Sequence, residues 1–305
     1  MHAVGMVLHP QRDSAEAVEA VLGWADRRGI KVLGIETEIR RLNCAAVPTT
    51  TAELGQRSDL VVSLGGDGTM LRAMRLTDRQ RAPVLGVNLG KLGFLAEIDV
   101  PQLGGALSAV DAGEYTIEPR LAVDAVVGGE VYTAFNDVAV IRFPGQPSAK
   151  VSVLAGGHPF VSYAADAIVV ATPAGSTAYS FSAGGPIVSP LVEALLVTPA
   201  SPHSAYNRGL VLSVNDPLAL ELLPDCGELA IEVDGQLATK VSAGSRIELR
   251  PRPGAARVVR FGKTTFYERA RRKLRLTDSA EIEADPEADP EADPEADPEV
   301  DPDID

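Results

Sequence analysis

Leu60-Val61-Val62-Ser63-Leu64-Gly65-Gly66-Asp67-Gly68-Thr69 is the stretch on which the fold turns. Its first five residues are apolar except for one serine, the pattern of a short strand buried on both faces. Three glycines then fall within four positions and remove side chains where the backbone must turn sharply. Thr69–Thr77 reads as the helix beyond, with Thr69 a candidate cap. The free N–H groups of such a loop and helix start suit a phosphate, so Gly65, Gly66, Gly68 and Thr69 are candidate phosphate-binding residues. Asp67 is the odd member. A carboxylate beside a phosphate site repels the phosphate unless it binds a cation or takes a proton.

Outward from this loop, strand-like and helix-like segments alternate. Ala3–Leu8, Lys31–Ile35 and Val84–Val87 read as strands. A helix capped by Asp13 or Ser14 carries Ala17, Val18, Val21, Leu22 and Ala25 on its apolar face, and Pro101 to Val110 reads as another. This predicts a Rossmann-like α/β domain with a parallel sheet over residues 1–118. Past Tyr115 short β-like runs follow one another, with Gly128-Gly129, Gly156-Gly157 and Asp234-Gly235 as hairpin turns. They predict a β-sandwich-like domain over 119–260. Thr265–Leu274 reads as a basic helix, in a segment (261–277) expected to pack back on the first domain.

The chain has 305 residues and a formal net charge of −14. Fourteen of its 42 acidic residues lie between Asp278 and Asp305, which holds no Lys or Arg; 28 acids are left to match 28 bases. The acidity belongs to a tail, in which Glu-Ala-Asp-Pro recurs with proline every fourth residue. The composition of 278–305 predicts disorder. The balanced body excludes a charge-driven nucleic-acid binder. Cys44 and Cys226 are too few for a disulfide framework, and no apolar run approaches a membrane span. The expectation is a cytoplasmic protein with no membrane partner.

Two further segments carry chemistry. Thr172 to Pro186 (TPAGSTAYSFSAGGP) reads as one continuous loop of small residues and hydroxyls, with Tyr179 able to stack on a flat ring. Asn136-Asp137 lies between two strands. Asn can read an adenine edge and Asp can accept from sugar hydroxyls, while an Asx turn is the plain structural alternative. Gly262-Lys263-Thr264 and Gly90-Lys91 fail as P-loops, because Arg257 and Leu85 stand where the leading glycine is required.

Together these segments resemble the NAD kinase family. The likeness runs through SDLVVSLGGDGTMLRA (58–73), VLGVNLGKLGFLAEID (84–99), NDVAV (136–140), ATPAGSTAYSFSAGGPIVSP (171–190), PHSAYNR (202–208), IEVDGQ (231–236) and FYERARRKLRL (266–276). GGDGT alone is shared with lipid kinases of the diacylglycerol and sphingosine type; its combination with NLGxLGFL and TPxGSTAY is far more specific. The resemblance implies phosphoryl transfer from ATP or polyphosphate to the 2′-hydroxyl of the adenosine ribose of NAD, giving NADP. It implies Asp67 as general base and NAD contacts from Asp67, Gly68 and Arg72. Asn136 and Asp137 match an adenosine-reading pair, and Asp166 an aspartate upstream of the substrate loop. Thr177, Ala178, Tyr179, Ser180, Phe181 and Ser182 match that loop, and Gln236 the turn after Asp-Gly. It further implies Mg²⁺ with ATP, no fixed protein ligands for a metal, and a homodimer or homotetramer. Ala174, the run Ala164-Ala165-Asp166-Ala167, and Arg208-Gly209 depart from the family pattern. Two other readings stand beside this one, a lipid kinase sharing GGDGT and a non-catalytic dinucleotide-binding paralogue.

Overall fold

The computed structural model describes residues 1–90 and 93–276. The expected disordered tail, 278–305, lies outside the described residues. The first part alternates β1 (Ala3–Leu8), α1 (Ala15–Asp26), β2 (Lys31–Ile35), α2 (Glu36–Leu42), β3 (Val47–Thr49), α3 (Thr51–Arg57), β4 (Leu60–Gly65), α4 (Asp67–Leu76), β5 (Val84–Asn88), β6 (Ile98–Asp99) and α5 (Leu103–Ala112). Its main strands run parallel in the order 3-2-1-4-5. The order reverses between β1 and β4, the switch point at which open α/β sheets bind ligands beyond their carboxyl ends. Both faces are covered. Val4, Met6, Val62 and Leu64 pack under α1 and α5, and Val7, Leu33 and Val61 under α3 and α4. Strand β4 is buried along its whole length, as its uninterrupted apolar run required.

The second part comprises β7 (Thr116–Val127), β8 (Glu130–Ala134), β9 (Asp137–Arg142), β10 (Ala149–Ala155), β11 (His158–Ala165), β12 (Ala167–Ala171), the single-turn α6 (Tyr179–Ser182), β13 (Ala194–Ala200), β14 (Leu210–Ser213), β15 (Leu218–Leu222), β16 (Leu229–Val233), β17 (Gln236–Val241) and β18 (Arg246–Arg260), with α7 (Phe266–Leu274) closing the described chain. One antiparallel sheet runs β14-β13-β12-β9-β16-β17. It faces β10, β15, β18 and β7 across a core of Val123, Val140, Val151, Tyr163, Ile168, Val170, Leu220 and Ile231. The sandwich-like expectation therefore holds. The two parts are nonetheless joined by sheet. Strand β18 pairs antiparallel with β15 and β7, and then parallel with β5 at Val258–Val84, so a single 12-stranded sheet passes through both.

Three local expectations change. The helix expected from Thr69 starts at Asp67, with Gly66 at the cap in an extended conformation. An acid in the first turn favours that early start through the helix dipole. Thr69 is therefore inside the helix and is no cap; its Oγ1 is buried without a partner. At α1 the cap position is Ser14, whose hydroxyl makes no capping bond, while Asp13 accepts from the Ala15 amide. The run from Thr172 is not one loop. It winds into a 3₁₀ turn over Ala174–Thr177 and then α6.

Candidate active site

Asp67 stands at the first position of α4, at the carboxyl end of β4. Its carboxylate is held by the loop that follows β5. Leu95 donates its amide to Oδ1 and Phe94 donates to Oδ2, each at 3.0 Å. Lys273 of α7 donates to Oδ2 at 3.1 Å. The fit leaves no room at Gly93, where a Cβ would lie 2.2 Å from Asp67 Oδ1. A Cβ at Gly66 or Gly68 would instead point into open space, so a ligand can reach that backbone.

The loop carrying Phe94 and Leu95 rests on a buried charge network. Glu97 is sandwiched by Arg260 of β18, at 2.7 Å, and Arg269 of α7, at 3.0 Å. Arg260 also reaches Glu118 at 3.1 Å, which pairs with buried Arg120. Burial and the neighbouring Arg260 pull the Arg120 pKa down to about 10. Phe94 meets Phe266 at 6.4 Å between ring centroids. Helix α7 begins with a capping box, Thr265 with Glu268, which fixes its first turn.

The second group forms where β9 begins. Asp234, in the turn between β16 and β17, has a fully buried side chain. Its carboxylate accepts the amides of Phe135, Asn136 and Asp137 at 3.1, 2.7 and 3.2 Å. Arg75 of α4 closes the arrangement with an ion pair to Asp234 Oδ2 at 3.1 Å. Phe135 is itself buried among Met70, Leu71 and Met74 of α4. The Asn136-Asp137 pair is thus fastened to the helix that carries Asp67. Asn136 Oδ1 is buried with no partner, an acceptor left open. Burial pushes the Asp137 carboxyl up to about 7, helped by the charges of Asp234 and Glu232 and opposed by the Tyr179 amide. Burial raises Asp234 too, against the pull of its three amides and Arg75.

The segment from Thr172 packs beside this pair. Its hydroxyls mostly turn inward. Thr172 donates to the Phe135 carbonyl at 2.6 Å, Ser176 donates to the Val188 carbonyl at 3.1 Å, and Ser180 shares a hydrogen bond with Thr198 at 2.9 Å. Ser180, expected at the ligand, serves the core instead. Gly175 lies so close that a Cβ would sit 2.1 Å from the Asn136 carbonyl. Thr177, Ala178 and Tyr179 are half-buried and Phe181 and Ser182 exposed, so these five remain at the surface of the segment. Burial and the charges of Glu232, Asp137 and Asp166 raise the Tyr179 phenol.

Three expected residues lie outside the hydrogen bonds of these groups. Arg72 pairs with Glu38 of α2 and not with Asp67. Arg72 and the exposed Gln236 line a cavity of about 540 Å³ with Arg75, Tyr132 and Thr133. Asp166 follows β11 at the opposite end of β12 from Thr172, held by Arg142 with its pKa lowered by that guanidinium. Sequence reasoning missed Asp234, Arg75, Gly93 and Lys273. Asp234 had a local sign, as the first residue of an Asp-Gly turn with a positive φ of 47°, and Gly93 and Lys273 lie in segments 84–99 and 266–276, which carry the resemblance without assigning them a role.

A glycine-rich loop thus lies at the switch point of a 3-2-1-4-5 sheet, where open α/β sheets bind ligands, with Asp67 at its tip and the Asn136-Asp137 pair fastened to the same helix. Comparison with known proteins carries this further. Residues 4–115 match the ATP-NAD kinase N-terminal domain and residues 135–261 the ATP-NAD kinase C-terminal domain. The NAD kinase of Desulforamulus reducens is 38% identical over 281 residues, covering 90% of this chain and 98% of the relative. NAD kinase 1 of Streptomyces avermitilis is 36% identical over 321 residues, covering 92% and 89%. Yeast NADH kinase complexed with NADH superposes with a TM-score of 0.81 at 25% identity, over 92% of this chain and 89% of that one. The NAD kinase from Archaeoglobus fulgidus in complex with ATP shares the fold, with a TM-score of 0.70 at 23% identity over 90% and 99%. The chain belongs to the NAD kinase family. Among the described residues no helix is long and apolar enough to cross a membrane.

Proposed function

We propose that this chain transfers the terminal phosphoryl group of ATP, or of polyphosphate, to the 2′-hydroxyl of the adenosine ribose of NAD, producing NADP. The observation that carries the reading is the Arg75–Asp234 bridge, which ties the GGDGT helix to the Asn136-Asp137 turn. It supports a site in which one helix orders both the reacting carboxylate and the adenosine contacts. Asn136 Oδ1, buried and open, is the acceptor for the adenine amine. Asp137, ionised above about pH 7, accepts from ribose hydroxyls. Tyr179 offers its ring, and Thr177, Ala178, Phe181 and Ser182 line the same segment. Asp166, near His203, serves the far end of the dinucleotide.

At the reacting end, the 2′-oxygen attacks the terminal phosphorus as the bond from that phosphorus to the donor's bridging oxygen breaks. The hydroxyl proton passes to Asp67, and the leaving phosphate departs with its charge. Gly65, Gly66 and Gly68 present backbone N–H groups to the donor's phosphates. The donor enters as its magnesium salt, the cation being part of the substrate. The active form is a homodimer or homotetramer working in the cytoplasm. The test is NADP formation by the purified protein with MgATP or polyphosphate and NAD, read through an NADP-dependent dehydrogenase. Absence of NADP with every donor would sink the proposal.

A further inference from the structure

Helix α7 spends its cations unequally. Arg269 is buried and committed to Glu97 and the Ala96 carbonyl. One turn later Lys273 is a third exposed, with its Nζ 3.1 Å from Asp67 Oδ2 and 4.4 Å from the centre of the Phe94 ring. The pair is 206 positions apart in sequence. Among the described residues Lys273 is the one cation in contact with Asp67. The arginines of α4 are engaged elsewhere, Arg72 with Glu38 and Arg75 with Asp234.

This arrangement poses a problem that the reaction must solve. Asp67 Oδ1 is taken by one amide, and Oδ2 by an amide and the ammonium. Three of the carboxylate's acceptor positions are thus filled, and while Oδ1 keeps one open, the oxygen that faces α7 has none for an acceptor hydroxyl. A donor phosphate over the start of α4 also brings negative charge beside a carboxylate, since even its magnesium salt keeps a net negative charge. One movement answers both difficulties. The lysine stem is flexible, its anchor on α7 is rigid, and an ammonium prefers the more highly charged phosphate oxygens.

Resting on the phosphoryl-transfer reading above, we propose that Lys273 is an active-site cation that caps Asp67 in the free protein and passes to the phosphoryl group when the donor binds. Its departure frees Oδ2 for the 2′-hydroxyl. The ammonium keeps its protons throughout. The new O–P bond forms as the donor's P–O bond breaks, the hydroxyl proton goes to Asp67, and Lys273 supplies charge only. The C-terminal helix thereby becomes part of the catalytic centre.

The test uses the full chain with Lys273→Met and Lys273→Arg, varying MgATP and NAD independently. Losing one preorganised electrostatic contact in a transition state costs roughly 10²-fold in kcat. The expected result is that loss in Lys273→Met, with a several-fold rise in the donor KM, little change in the NAD KM, and partial recovery in Lys273→Arg. A purely structural lysine would lower the melting temperature and disturb both KM values together. Lys273→Gln provides a second neutral variant should the methionine form fold poorly. Binding of inorganic tripolyphosphate by calorimetry separates this proposal from the function itself. If the unaltered protein makes no NADP but binds tripolyphosphate, and Lys273→Met loses that binding, the lysine's role stands while the acceptor assignment falls. Unchanged tripolyphosphate affinity, or an unchanged kcat and donor KM, in a folded Lys273→Met or Lys273→Gln protein overturns the proposal.

Discussion

Asp67 and Asp137 are the same functional group in opposite settings. Asp67 is 28% exposed and surrounded by donors, two amides and an ammonium. Asp137 is almost fully buried, meets one amide, and has two acids for neighbours, so its pKa climbs to about 7. The contrast separates the labour of the site. A carboxylate rich in donors is held in one orientation, ready for a reacting atom. A carboxylate poor in donors, beside the unfilled acceptor of Asn136, keeps acceptor capacity that a ligand with hydroxyl and amine hydrogens would fill.

Asp67→Asn keeps shape but removes the proton acceptor, and a kcat loss on the order of 10³-fold is expected. An unchanged rate in the coupled assay would move the proton elsewhere. Next in size is Gly93→Ala, whose Cβ would lie 2.2 Å from Asp67 Oδ1. Displacing the carboxylate costs roughly 10²-fold in kcat, since a shift of about 1 Å is enough for that. A smaller loss would mean that the 93–95 loop yields.

Asp234→Asn tests the other side. Removing the buried charge leaves the half-buried Arg75 without its partner and weakens the bonds to three amides, and about 2 kcal/mol of stability is expected to go. Thermal melting and the NAD KM should worsen together, while the donor KM stays. Asp137 gives a pH signature of known sign. It must be ionised to accept from the ribose, so the NAD KM should be flat above pH 7 and rise roughly tenfold per unit below it. Asp137→Asn removes that slope. A raised carboxyl favours folding at low pH and loses that contribution as pH rises through about 7. That loss begins above the ordinary value of 3.8, so Asp137→Asn should raise the melting temperature most at pH 8, less at pH 5 and not below about pH 3.8. The smallest effect is expected from truncation after Thr277. It removes 14 acids and none of the residues placed in either group, so kcat should stay within about twofold. A large loss would make the acidic stretch part of the enzyme.

Much of this was legible where chemistry is written locally. LVVSL followed by glycines had to be a buried strand and a loop, and glycine pairs marked the hairpins between β7 and β8 and between β10 and β11. Residues 36–57, where α2, β3 and α3 form, lack a clear period because Pro48 and scattered charges interrupt it. The start of α4 was misjudged because Gly66 and Gly68 disguise helical residues as loop. In the site, Asp67, Asn136 and Asp137 could be found because each sits in a compact motif. Asp234, Arg75 and Lys273 could not, because their partners are 97 to 206 positions away and are met only after folding. The inward turn of Ser176 and Ser180 was hidden for the same reason: a hydroxyl in a sequence does not declare which way it faces.

Strand β18 has a mechanical consequence. Its 15 residues belong to the sandwich at one end and to the parallel sheet at the other, with only an irregularity between Arg252 and Ala256. A beam of this kind resists bending in the plane of its hydrogen bonds. The two halves therefore behave as a girder, and adaptation to a substrate falls to the fittings mounted on it: the 93–95 loop, the turn of α6 and the lysine of α7. Heating should melt both halves in one transition, because neither can unravel without pulling the same strand from the other.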